Sequence, residues 1–78
     1  MKPELLKAPK GGKADNLKKL TGVGPKMEAT LHEAGIFHFA QIASWSTEEM
    51  RWVDAHVNAK GRIERDEWVA QAKELMSE

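Results

Sequence analysis

The sequence contains no cysteine and no long apolar run among its 78 residues. The absence of cysteine excludes disulfides and thiolate metal sites. No stretch approaches the ~20 apolar residues that a membrane-spanning helix needs, and the first residues lack the apolar segment of a secretory signal. We therefore expect one small cytoplasmic domain with a thin core. Much of that core is expected to come from Trp45, Trp52 and Trp68.

The chain also lacks net charge, which argues against strong binding to nucleic acid. The charges are nevertheless unevenly distributed. Residues 1–26 carry seven lysines and two acidic residues, a balance of +5, and residues 27–78 carry five basic and ten acidic residues, a balance of −5. The lysine excess is either an ordinary solvated tail or a surface that attracts phosphate.

Helical signals dominate the sequence, and no segment alternates apolar and polar residues long enough to indicate a strand. We predict a flexible lysine-rich arm over residues 1–13, which contains Pro3, Pro9, Gly11 and Gly12. Residues 14–78 are predicted to form an all-α bundle. Its five short helices are expected over residues 15–20, 25–34, 38–43, 46–57 and 63–76.

Helix boundaries are indicated by capping residues. Asp15 is expected to cap the first helix, and Gly35 is expected to follow the end of the second one. Ser46 and Glu49 form a capping box for the fourth helix. Residues 58–61 are predicted to be a loop.

The most informative segment is Leu20-Thr21-Gly22-Val23-Gly24-Pro25-Lys26. Glycine tolerates positive φ, so the two glycines permit a very tight turn. Pro25 suits the first turn of a helix. We expect the N–H groups of Gly22, Val23 and Gly24 to point outward beside the helix N-terminus, an arrangement that suits a phosphate.

Residues 14–45, with this segment and the downstream Ala34-Gly35-Ile36, resemble the helix-hairpin-helix family. The remainder resembles a narrower bacterial branch described as a predicted flap-endonuclease-like helix-hairpin-helix domain. It is also similar to C-terminal extensions of one of the NADH-quinone oxidoreductase subunits and of a large-subunit ribosomal protein. The resemblance implies a SAM-like helical bundle that contacts DNA without sequence preference.

Carried onto this chain, the resemblance assigns phosphate contact to Gly22, Val23, Gly24 and Lys26. Position alone adds further candidates, which are Thr21, Lys18 and Lys19. A second turn, Asn58-Ala59-Lys60-Gly61-Arg62, lacks the Gly-hydrophobic-Gly pattern. Its neighbourhood offers a second set of basic candidates, which are Lys60, Arg62 and Arg65.

No enzymatic chemistry is indicated by the remaining residues. The three histidines, His32, His38 and His56, have no ligand-like spacing, so no metal and no cofactor are expected. The acidic residues Glu48, Glu49, Glu64, Asp66 and Glu67 lie at expected helix starts, where they complement the helix dipole. We therefore expect no catalytic residues and no small-molecule substrate.

The partner is either DNA, bound weakly and without sequence preference, or a protein in a larger assembly such as the ribosome or a respiratory NADH dehydrogenase.

Overall fold

The computed structural model describes residues 2–77 as a bundle of helices. The five α-helices are α1 (Pro25–Glu33), α2 (Phe39–Ala43), α3 (Thr47–Val57), α4 (Arg62–Arg65) and α5 (Trp68–Met76). Two 3-10 turns precede them, at Lys10–Gly12 and Leu17–Lys19. Within the described residues there is no strand, and the all-α prediction is confirmed. Residues 1 and 78, at the ends of the expected arm and domain, lie outside the described range.

The core is formed where α2 packs on α5. From that pair, α4 contacts α5, α3 contacts α4, and α1 contacts α3. Trp68 is its largest fully buried side chain, and Trp45 is also buried. The other fully buried large side chains are Leu17, Leu20, Leu31, Ile36, Ile42, Val53 and Ile63. Trp52 is only partly buried and stacks on His56, with ring centroids 4.7 Å apart. Burial of each large apolar side chain contributes about 1.5–3 kcal/mol to folding.

Two of the predicted caps are confirmed. The Glu49 N–H donates to Ser46 Oγ at 3.2 Å, and the Ser46 N–H donates back to Glu49 Oε1 at 2.8 Å. Gly35 follows α1 with a φ of 95°. Its N–H donates to the His32 carbonyl, and the Ile36 N–H donates to the Leu31 carbonyl at 2.9 Å. These two bonds form a Schellman motif, which positive φ at Gly35 makes possible.

The predicted first helix is wrong in type and in its cap. Residues 17–19 form a single 3-10 turn, capped by the Asn16 side chain, which accepts the Lys18 N–H. Asp15 instead accepts the Phe39 N–H at 2.9 Å, at the start of α2. A tertiary contact across 24 residues has replaced the local cap that the sequence indicated.

The predicted fifth helix is also wrong, because it is interrupted between α4 and α5. Glu67 has a φ of 53°, in the left-handed region, and separates the two helices. Ile63 and Trp68 would lie about 140° apart on one continuous helix at 3.6 residues per turn. The interruption allows both side chains to be fully buried in the same core.

The expectation of a flexible arm over residues 1–13 stays a prediction, although its described part lies against the bundle. The Leu6 N–H donates to the Gly35 carbonyl at 2.9 Å, and Gln41 Nε2 donates to the Glu4 carbonyl at 3.3 Å. The Lys10 N–H donates to His38 Nε2 at 2.9 Å. These bonds connect the arm to the segment between α1 and α2 and to Gln41 of α2.

Replacing Gly35 by alanine tests this contact. A Cβ at Gly35 would lie 2.8 Å from the Leu6 carbonyl oxygen, whereas a Cβ at Gly12 would meet nothing within 4 Å. Both glycines have positive φ. We therefore expect Gly35→Ala to lower the free energy of unfolding by about 1–3 kcal/mol, and by more than Gly12→Ala. Equal losses in urea denaturation would contradict the arm contact.

Candidate nucleic-acid interface

The first turn, Thr21–Gly24, differs in two respects from the turn that the sequence predicts. Gly22 has the expected positive φ, 93°, but Gly24 has φ −99° and ψ −176°, which any residue can adopt. The Val23 N–H donates to the Leu20 carbonyl at 3.1 Å. The expectation of a free N–H at Val23 is therefore wrong. Its side chain is buried and anchors the turn in the core.

The N-terminus of α1 nevertheless presents unpaired amides. Gly24 is its N-cap residue and has no side chain that could satisfy them, and Pro25 occupies the first helical position. Within residues 2–77 the N–H groups of Gly22, Gly24 and Lys26 have no hydrogen-bond partner. Together with the positive end of the helix dipole, they suit an anion.

The turn is held from behind by α5. Gln71 Oε1 accepts the Thr21 N–H at 2.9 Å, and Gln71 Nε2 donates to the Asp66 carbonyl. A Cβ at Gly22 would lie 3.4 Å from Trp68 Nε1 and 2.5 Å from Asp66 Oδ2, so a side chain there would displace the Asp66 carboxylate, and the φ of 93° also disfavours one. Gln71 could not be identified from the sequence, because no short-range pattern connects residue 71 with a turn 50 positions earlier.

A groove of about 440 Å³ separates the first turn from the second turn, residues 58–62. Its cationic residues are Lys26, Lys60 and Arg62. The full lining consists of Gly22, Gly24, Pro25, Lys26, Met27, Thr30, Val57, Asn58, Ala59, Lys60 and Arg62. This lining contains no acidic residue. The groove therefore combines unpaired amides with three cations, and it can accommodate a phosphate backbone.

The remaining basic candidates do not line this groove. Lys18 is exposed on the 3-10 turn, and Lys19 lies in a separate crevice beside Gln71 and Glu74. Arg65 Nε is 3.9 Å from Asp66 Oδ1. The structure thus brings Gly22, Gly24 and Lys26 together. Of the second set of basic candidates, it adds Lys60 and Arg62 but not Arg65. Thr21 contributes its N–H to Gln71 and lies outside the groove lining.

The carboxylates and histidines are dispersed over the fold. Glu64 accepts from Arg51 Nε at 3.3 Å, and Asp15 Oδ2 lies 3.6 Å from His38 Nδ1. In the part of the chain that the structure describes, no three metal-ligating side chains converge. None of the helices described there is both long and apolar enough to cross a membrane.

Residues 17–76 match the family model described as the RS2/RL21/YNQ2 HHH domain. The chain belongs to this helix-hairpin-helix family. The match includes both turns and all five α-helices. The helix-hairpin-helix resemblance is confirmed.

The curated relatives of this chain include ribosomal proteins of both subunits. The chain is 50% identical over 74 residues to the large ribosomal subunit protein bL21 of Jannaschia sp. strain CCS1, covering 95% of this chain and 29% of that protein. It is 50% identical over 70 residues to the small ribosomal subunit protein uS2 of Methylobacterium nodulans, covering 90% of this chain and 20% of that protein. The chain therefore spans about a fifth to a third of the relatives' length. No solved structure matches it.

These relatives confirm the resemblance to a large-subunit ribosomal protein and add a small-subunit protein that the sequence analysis did not name. Both are named as ribosomal proteins rather than as enzymes or DNA-binding proteins. The resemblance to a component of NADH-quinone oxidoreductase stays a prediction.

Replacing Gln71 by alanine tests whether α5 holds the first turn. The variant loses two hydrogen bonds and leaves the Thr21 N–H unpaired, so we expect the free energy of unfolding to fall by about 1–2 kcal/mol. We also expect faster hydrogen exchange at the Thr21 amide. The control is Glu74→Ala, an exposed residue on the same helix. Unchanged exchange at Thr21 would contradict the role of Gln71.

Proposed function

We propose that this chain is a non-catalytic docking domain that acts with the ribosome in the cytoplasm and needs no cofactor. Its groove between the first and second turns holds the phosphate backbone of RNA without reading the base sequence. The observation that carries the proposal is that Gly22, Gly24 and Lys26, whose amides are unpaired within residues 2–77, line the same groove as Lys60 and Arg62.

The chemistry of the groove favours a backbone contact. Amide N–H groups and cations bind phosphate oxygens, which carry no sequence information. The groove offers three cations and an otherwise neutral lining, so the attraction is local and the affinity low. We expect dissociation constants of roughly 10⁻⁴ to 10⁻⁶ M, as for other non-specific contacts.

The names of the relatives favour RNA as the polyanion. They are proteins of the large and the small ribosomal subunit. Ribosomal subunits are assemblies of RNA and protein, so a domain shared by both kinds of subunit protein has ribosomal RNA as its nearest phosphate backbone. RNA therefore replaces DNA as the proposed ligand.

A protein neighbour in the ribosome is the second candidate. Two observations favour it, the acidic balance of residues 27–78 and a shallow groove of about 400 Å³ along α3, α4 and α5. The apolar lining of that second groove is formed by Met50, Ile63, Val69 and Ala70. A protein docked there would leave the basic groove free.

The charge-reversing variant Lys26→Glu, assayed with a labelled RNA duplex at increasing salt, tests the RNA proposal. For three cations we expect log K to fall with log salt at a slope of roughly −2 to −3. Lys26→Glu should weaken binding at low salt at least tenfold and flatten the slope. An acidic side chain in the first turn of α1 complements the helix dipole, so the fold is retained.

The matched control is Lys73→Glu, which makes the same charge change on α5 away from the basic groove. Equal losses in the two variants would indicate a general charge effect and contradict the groove as the site. If the native chain fails to bind RNA at low salt but binds a ribosomal protein, the second candidate is favoured.

A methyl group at Gly24 separates binding from folding. Because Gly24 has an extended backbone and a Cβ there would meet nothing within 4 Å, Gly24→Ala should cost no more than about 1 kcal/mol of stability. The methyl group would stand beside the unpaired amides, so we expect weaker RNA binding. Unchanged affinity in a variant with native unfolding behaviour would place the RNA elsewhere.

A further inference from the structure

Like the first turn, the second turn directly precedes a helix, but its backbone conformation is different. In each turn a glycine is the N-cap of the following helix. The Glu28 N–H donates to the Gly24 carbonyl at 2.9 Å, and the Arg65 N–H donates to the Gly61 carbonyl at 3.0 Å. Gly61, however, has a φ of 83°, whereas Gly24 has a φ of −99°. Asn58 and Lys60 also have positive φ, 56° and 57°.

A single residue, Asp54, holds this unusual backbone together. Its carbonyl oxygen accepts the N–H groups of Asn58 and Ala59, the latter at 2.9 Å. Its carboxylate accepts the Gly61 N–H, with both oxygens 3.0 Å from the nitrogen. The amide of Gly61 therefore already faces an anion, which is part of the chain. The corresponding amide of the first turn, Gly24, has no partner within residues 2–77.

The charge of Asp54 is not neutralised by the cations nearest to it in the sequence. In the described residues, Arg51 pairs with Glu64 and Arg65 pairs with Asp66. Lys60 and Arg62 line the groove, and neither forms an ion pair within residues 2–77. The Asp54 carboxylate thus forms no ion pair within the described residues, and it contacts Gly61, whose sequence neighbours Lys60 and Arg62 line the basic groove.

We infer that Asp54 occupies the anion position of the second turn and keeps a second phosphate away from it. This inference rests on the proposed RNA-binding function. The two turns then have separate roles. The first turn contacts phosphate through its amides, whereas the Gly61 amide of the second turn is already paired and Lys60 and Arg62 contribute their cationic side chains. Asp54 also limits affinity, because its charge repels the strand that these cations attract.

The test is Asp54→Asn, which keeps an acceptor oxygen for Gly61 and removes the charge. Its control is Glu33→Gln, which removes one charge at the far end of α1. We expect Asp54→Asn to bind an RNA duplex about threefold or more tightly at low salt than the native chain. Glu33→Gln should change the affinity much less. An Asp54→Asn variant that binds no more tightly than Glu33→Gln would overturn the inference.

A measurement without RNA separates this inference from the proposed function. In the native chain the Gly61 amide should exchange slowly with solvent, and its resonance should not move when inorganic phosphate is added. The Asp54→Asn variant should shift the Gly61 amide resonance and accelerate its exchange, while Glu33→Gln leaves both unchanged. If the native chain binds no RNA, the proposed function fails. The response of the Gly61 amide to Asp54→Asn still tests whether Asp54 occupies this position. A Gly61 amide that is indifferent to Asp54→Asn would overturn it.

Discussion

The contact between the first turn and α5 is the constraint on which the candidate site depends. Gly22 adopts positive φ and carries no side chain, so Trp68 and Asp66 can approach its backbone closely. Gln71, on α5 with Trp68, then satisfies the Thr21 N–H. Because the back of the turn is held by these groups, its other face can leave amides unpaired at the start of α1. Such amides are normally capped by a side chain, and here glycine and proline occupy the capping positions.

The interruption between α4 and α5 makes this arrangement possible. The left-handed residue Glu67 redirects the chain, so that Ile63 and Trp68 enter one core. It also brings Asp66 and Gln71 to the back of the first turn. At the other end of α4, Asp54 satisfies the second turn internally. The two turns therefore differ, because the Gly24 amide is unpaired within residues 2–77, whereas the Gly61 amide is already paired with a carboxylate.

The sequence predicted the all-α class, the Ser46–Glu49 capping box and the glycine after α1, because each depends on residues only a few positions apart. The interrupted fifth helix could not be predicted, since its cause is the joint burial of Ile63 and Trp68. In the candidate site, too, only the residues of a local motif could be predicted. Gly22, Gly24 and Lys26 follow from a local motif, but Gln71 and Asp54 act across space. Val23 was misassigned because its N–H closes the turn on Leu20.

The most direct test of the account is a map of backbone amide shifts when a short RNA duplex is added in dilute buffer. We expect the largest shifts at Gly22, Gly24 and Lys26, with smaller ones at Lys60 and Arg62. Salt should reverse all of them together. Shifts confined to Met50, Val69 and Ala70, or no shifts at all, would contradict the proposal that the basic groove holds RNA.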